Sequence, residues 1–158
     1  MKYQCKDSYC GPASMNAAAK ALGVPVGQGR FAKLAGTDII HETDEIGVKR
    51  GLLAAGFIPE VHTGNIGIPA RNWLVVKLRL GYPVILCSGR ARWQHWLCAV
   101  GMLGNKFIVF DPARFEYRVN TGIQFYTWQN LNRVWKAAKT VRGDDGAYYG
   151  VAVLRGEV

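Results

Sequence analysis

Three residue types in this chain could together break an acyl bond: the thiol of Cys10, the imidazole of His95 and the carboxylate of Asp111. Cys10 runs directly into Gly11-Pro12 and then the Ala-rich stretch Ala13-Ser14-Met15-Asn16-Ala17-Ala18, a pattern that puts it at the start of a helix. Unpaired backbone N–H groups and a partial positive charge at a helix N-terminus favour thiolate over thiol, and thiolate is the nucleophilic form. Pro12 suits the first turn, where its missing N–H costs nothing. A cysteine nucleophile also needs a base within hydrogen-bond reach and a group to orient that base.

The chain offers three histidines. His41 lies in a loop and is expected in solvent, and His62 sits in a Gly-rich stretch that reads as exposed. His95 begins an apolar run flanked by Trp93 and Trp96, which puts it on a rigid strand. The next apolar run, Lys106 to Phe110, follows across a Gly104-Asn105 turn suited to a hairpin and ends at Asp111-Pro112. Hairpin geometry then brings His95 and Asp111 to the same open end. Asp111 can accept from one ring nitrogen and leave the other for Cys10, which is triad logic recognised by roles. An oxyanion forming at the attacked carbonyl needs aimed donors, and the Gln4 side chain and the Cys10 backbone N–H can supply them. Trp93, Trp96, Arg90 and Arg92, close to the histidine in sequence, are candidates to contact substrate.

Other elements must hold these groups. The first helix is expected from about Pro12 to Leu22, stopped by Gly23, and a short one around Phe31 to Ala35 is closed by Gly36. Thr43 is expected as the N-cap of a third, with Ile46, Leu52, Leu53 and Ala54 as its apolar set. Phe57 to His62 reads as extended and Trp73 to Leu80 as helical or mixed. Strands follow at Pro83 to Cys87, His95 to Met102 and Lys106 to Phe110, then a helix from Thr127 to Lys139 and a last strand from Tyr148 to Leu154. The architecture is α+β, a helical first half followed by an antiparallel sheet with one helix inserted.

The chain of 158 residues is expected to form one domain, 1–158, with hydrophobic residues at 49% and charged residues at 20%, ordinary for a globular protein. The N-terminal residues lack an apolar signal core and no window is long enough to span a membrane, so a cytoplasmic location is expected. The four cysteines include no C-x-x-C pair, which argues against a zinc ribbon, and without an export signal free thiols are expected rather than disulfides. No metal or other cofactor is called for. A net charge of +9 suits acidic partners, and Arg133, Lys136, Lys139 and Arg142 could form a stripe that makes the chain a non-catalytic nucleic-acid module. No nucleic-acid motif accompanies them, so a solvated helix face is the preferred reading. Oligomeric state leaves no signature.

The order Gln4, Cys10-Gly11-Pro12-Ala13-Ser14, His95-Trp96 and Asp111-Pro112 resembles the papain-like cysteine peptidases, and among them the bacteriocin-processing, double-glycine leader peptidases. Leu34-Ala35-Gly36-Thr37, Ala54-Ala55-Gly56-Phe57 and Tyr82-Pro83-Val84-Ile85-Leu86 extend the likeness, which covers roughly residues 4 to 112. Tyr9 stands where that family usually has Asp. The resemblance implies a papain-like fold and a cysteine peptidase with a Cys-His-Asp triad and a Gln oxyanion hole, acting on a peptide or protein. A second, local resemblance joins Tyr9-Cys10-Gly11 and the Asp111 to Tyr117 segment to the phytochelatin synthases. It implies transfer of a γ-glutamylcysteine unit, or glutathione hydrolysis, by a similar triad. The spacing from His95 to Asp111 suits the leader peptidases better.

Overall fold

A computed structural model describes residues 8–38, 40–90, 93–113, 122–136 and 147–156. The first helix, α1 (Cys10–Ala21), is followed by α2 (Gln28–Ala35), α3 (Glu45–Ala54), the strand β1 (Phe57–His62) and α4 (Gly67–Arg79). Then come β2 (Val84–Arg90), β3 (Trp93–Leu103), β4 (Lys106–Phe110), β5 (Ile123–Tyr126), α5 (Trp128–Lys136) and β6 (Gly150–Arg155). The strands form one sheet in the order β1-β6-β2-β3-β4-β5, and every pairing is antiparallel.

The alternation of strand side chains divides the core in two. Ile85, Cys87, Trp96, Cys98, Val151 and Val153 pack with Met15, Ala18 and Phe31 of the first helices. Their sequence neighbours Val84, Leu86, Leu97, Ala99 and Ala152 pack with Leu74, Leu78, Leu131 and Trp135 of α4 and α5. With both faces covered, the central strands carry continuous apolar runs instead of the apolar-polar alternation of a half-exposed sheet.

Helix α1 is buried along its length from Cys10 to Ala19, not only on one small-residue face. Alanine permits this, since it fills little space and loses no side-chain entropy in a helix. A neighbour comes close at Gly11, where an added Cβ would lie 2.5 Å from Cβ and Oγ1 of Thr43. The Thr43 side chain cannot yield, because it is branched, 3% exposed and hydrogen-bonded at 2.5 Å to Thr37 Oγ1. Gly11→Ala is therefore expected to destabilise the fold by about 1–3 kcal/mol, the usual cost of overpacking. Chemical denaturation measures it as a lower transition midpoint with an unchanged slope.

Several sequence expectations need correction. The N-cap of α3 is Asp44, whose carboxylate accepts from Gly47 N–H at 2.6 Å, while Thr43 turns inward. Ile46 and Leu53 of the same helix are exposed, and Val48 and Leu52 face the core. Strand β1 joins the sheet through β6, so the helical first half also contributes an edge strand. Strand β5 was not anticipated: it is four residues long and follows a polar stretch, and it is held by pairing with β4. His62 is half-buried, not exposed. Its ring stacks on Trp73 with centroids 4.9 Å apart, and burial pushes its pKa down. The expected C-terminal part of the last helix, including Lys139, lies outside the described residues.

Candidate active site

Cys10 is the first residue of α1 and 5% exposed. The first N–H groups of a helix have no partner within it, so this end presents donors around the thiol. His95 stands in β3 opposite Ser88 of β2. The β3–β4 ladder closes at Cys98 and Phe110, leaving His95 to Leu97 on one side and Asp111 on the other at the open end of the hairpin. There His95 Nε2 lies 2.8 Å from Asp111 Oδ1, and the His95 ring is also hydrogen-bonded to Cys10. With Nε2 directed at the carboxylate, Nδ1 is the ring nitrogen left for the thiol.

Asp111 is itself fixed. Its Oδ1 accepts from Ala113 N–H at 3.0 Å, and its own N–H donates to Gly122 O at 2.8 Å. Gly122 has φ of 74°, in the left-handed region, and an added Cβ there would meet Asp111 O and the Phe110 ring at 2.8 Å. Only glycine fits so close to the carboxylate's backbone.

The electrostatics follow from this arrangement. Burial is the largest influence on His95 and favours the neutral ring, yet the hydrogen bonds to Asp111 and Cys10 and their negative charges outweigh it. The net effect raises the imidazolium pKa from 6.5 to about 9. His95 therefore carries a proton through the neutral range. The thiols of Cys87 and Cys98 are fully buried, and burial pushes Cys98 far up. Cys10, Cys87 and Cys98 are thiols and not disulfides.

The other expected site residues are placed differently. Gln4 and Arg92 lie outside the described residues. Arg90 and Trp93 are the last register pair of the β2–β3 hairpin, next to its loop. Trp96 does not line a cleft: it is 1% exposed and packed edge-on against Tyr149, with Nε1 donating to Thr43 O at 2.7 Å. An alternating strand turns it into the core layer beneath α1. His41 is exposed and bonded to Asp38, as expected of a loop residue. Sequence reasoning overlooked Ser14, which donates from its hydroxyl to Trp96 O at 3.0 Å. Its signal was its spacing, since four residues after Cys10 is the same helix face one turn on.

Among the described residues no cluster of three His, Cys, Asp or Glu side chains is arranged to hold a metal ion. No helix among them is long and apolar enough to cross a membrane.

The fold has close counterparts among solved structures. The peptidase domain of Streptococcus ComA, a bifunctional ABC transporter involved in quorum sensing, superposes with a TM-score of 0.71 at 19% identity, covering 98% of this chain and 96% of that one. The Streptococcus mutans ComA peptidase domain gives 0.63 at 17%, covering 97% of each. The chain has the fold of these peptidase domains. A double glycine motif protease from an AMS/PCAT transporter, solved in complex with the leader peptide, gives 0.63 at 13% identity, covering 96% of this chain and 89% of that one. No protein-family profile matches the sequence, and a search of curated proteins finds no relative.

Proposed function

We propose that the protein is a cysteine peptidase that cleaves a peptide through Cys10, His95 and Asp111, with a double-glycine leader peptide as the substrate class to test first. The observation that carries this reading is the hydrogen-bonded line from Cys10 through His95 to Asp111 at the N-terminal end of α1. A thiol at a helix start, a base that accepts its proton and a carboxylate that orients the base make up an activated nucleophile. The likeness to a double glycine motif protease supports the substrate class.

In this mechanism Cys10 Sγ attacks the scissile carbonyl carbon and the C=O electron pair moves onto oxygen. The Cys10 backbone N–H and the Gln4 side-chain amide would donate to that oxyanion. As the C–N bond breaks, the His95 imidazolium gives its proton to the leaving amine, and a thioester remains on Cys10. Water then attacks the thioester, passes one proton to His95, and releases the acid and the Cys10 sulfur. Asp111 keeps the ring oriented throughout and stabilises its charge.

Two measurements test the reading. Iodoacetamide should alkylate Cys10 at least about tenfold faster than Cys87 and Cys98 at neutral pH, since reactivity follows exposure and thiolate fraction. Peptides carrying a Gly-Gly site should be cut after it, with a transient Cys10 acyl adduct visible by mass. Equal labelling of all three thiols would sink the assignment of Cys10. Rapid labelling without cleavage of Gly-Gly peptides would remove the substrate class and leave the nucleophile.

A further inference from the structure

Three side-chain hydrogen bonds converge on the two-residue segment His95-Trp96. Ser14 Oγ donates to Trp96 O at 3.0 Å, Trp96 Nε1 donates to Thr43 O at 2.7 Å, and Ser88 Oγ donates to His95 O at 2.9 Å. All three bonds sit where the sheet's own ladder has stopped on one side, because β3 and β4 pair only from Cys98 and Phe110 onward. Without them, the backbone of the piece of β3 that carries the imidazole would be held by its pairing with β2 but by no ladder on the β4 side.

The partners of these bonds are not scattered. Ser14 lies on α1 one turn after Cys10, so its bond fixes the distance from the cysteine helix to the histidine strand. Thr43 presses its side chain on Gly11, the residue next to Cys10, and its carbonyl holds the Trp96 indole. Trp96 is therefore tied to the N-terminal part of α1 twice, directly through Ser14 and through Thr43. Ser14, Ser88 and Trp96 are all buried, where a bond is protected from competition by water.

We propose that Ser14 and Trp96 are positioning residues, a latch between α1 and β3 that sets the separation of the Cys10 sulfur from the His95 ring. The inference rests on the reading of Cys10 and His95 as nucleophile and base, but it concerns their spacing and not the substrate. A misplacement of about 1 Å in such a pair costs on the order of a hundredfold in rate. The groups acting on the ring are Cys10 from α1 and Asp111 from the end of β4. The latch ties the strand to the α1 side, and the bond from His95 Nε2 to Asp111 does not depend on it.

Ser14→Ala removes one oxygen from a helix already rich in alanine, and Trp96→Phe removes the indole N–H while keeping an aromatic ring. In either variant the His95 imidazolium midpoint, followed by NMR of the ring protons, should fall from about 9 by roughly one unit, because part of the Cys10 contribution is lost. Cys10 alkylation by iodoacetamide at pH 7 should slow about tenfold, and the Asp111 contribution should persist. Ser14→Thr, which restores a hydroxyl, should return the midpoint toward the wild-type value. A midpoint that stays at the wild-type value in both folded variants overturns the latch, whatever peptides the protein cleaves. Because the NMR midpoint needs no substrate, failure of the latch is distinguishable from failure of the peptidase reading, which shows as an unreactive wild-type Cys10.

Discussion

Cys10→Ala is expected to abolish peptide cleavage, lowering kcat by on the order of 10⁵-fold or more, the scale seen when a covalent nucleophile is removed from an intact site. The fold should survive, because alanine is already the commonest residue of α1 and the lost sulfur is a small part of a large core. The thermal midpoint is the control: a variant inactive through unfolding would melt early, and an inactive, folded one isolates the chemistry. The same substitution has a second signature. Cys10 is among the groups that raise the His95 imidazolium to about 9, so its removal should lower that value and leave only Asp111 opposing burial. Retained cleavage by the folded alanine variant would end the assignment. Retained cleavage by Cys10→Ser at a rate near wild type would point to a site that does not depend on thiolate chemistry.

The parts of the site that were legible in the sequence are those fixed by local rules. Gly11-Pro12 after Cys10 marks a helix start, and α1 begins at that cysteine. The Gly104-Asn105 turn and the two apolar runs around it mark a hairpin whose open end brings His95 and Asp111 together, while the one-residue register shift between Ala99 and Gly101 has no signature in the sequence. What was hidden depends on contacts distant in the chain. Thr43 looks like an N-cap by its neighbours, yet it is drawn inward by Gly11 and Thr37 while Asp44 takes the cap. Trp96 looks like an aromatic at a cleft because it adjoins the histidine, but strand alternation and its bond to Thr43 put it in the core. His62 looks exposed among glycines until α4 places Trp73 against it. Strand β5 is only four residues long, too short for an alternation to announce itself, and it is held by the edge that β4 offers. The segment Arg114 to Tyr117, on which the phytochelatin synthase likeness partly rests, lies outside the described residues, as does Arg142 of the basic stripe.

Asp111 allows charge to be separated from orientation. Asp111→Ala deletes the acceptor for His95 Nε2 and is expected to lower kcat/KM by about 10³–10⁴-fold, the scale for losing control of the base's tautomer and angle. Asp111→Asn should be much milder. The Ala113 N–H points at Oδ1, the same atom that faces Nε2, so both neighbours require an acceptor there and an asparagine would be turned with its carbonyl toward the ring. Orientation toward the ring is then kept while the negative charge is lost. The pH dependence reports that loss. In the wild type the imidazolium is held from its ordinary 6.5 up to about 9, so its stabilisation of the folded state is fully present below about 6.5 and fades as pH rises through about 9. Cleavage that needs the imidazolium as acid should fall over the same alkaline limb. In Asp111→Asn both limbs should move to lower pH, with kcat/KM at pH 7 reduced by about tenfold and not by thousands. An alkaline limb that remains near 9 in the asparagine variant would show that the carboxylate charge does not hold the His95 proton. A loss as deep as that of alanine would show that the Ala113 N–H does not govern how the side chain at 111 is turned.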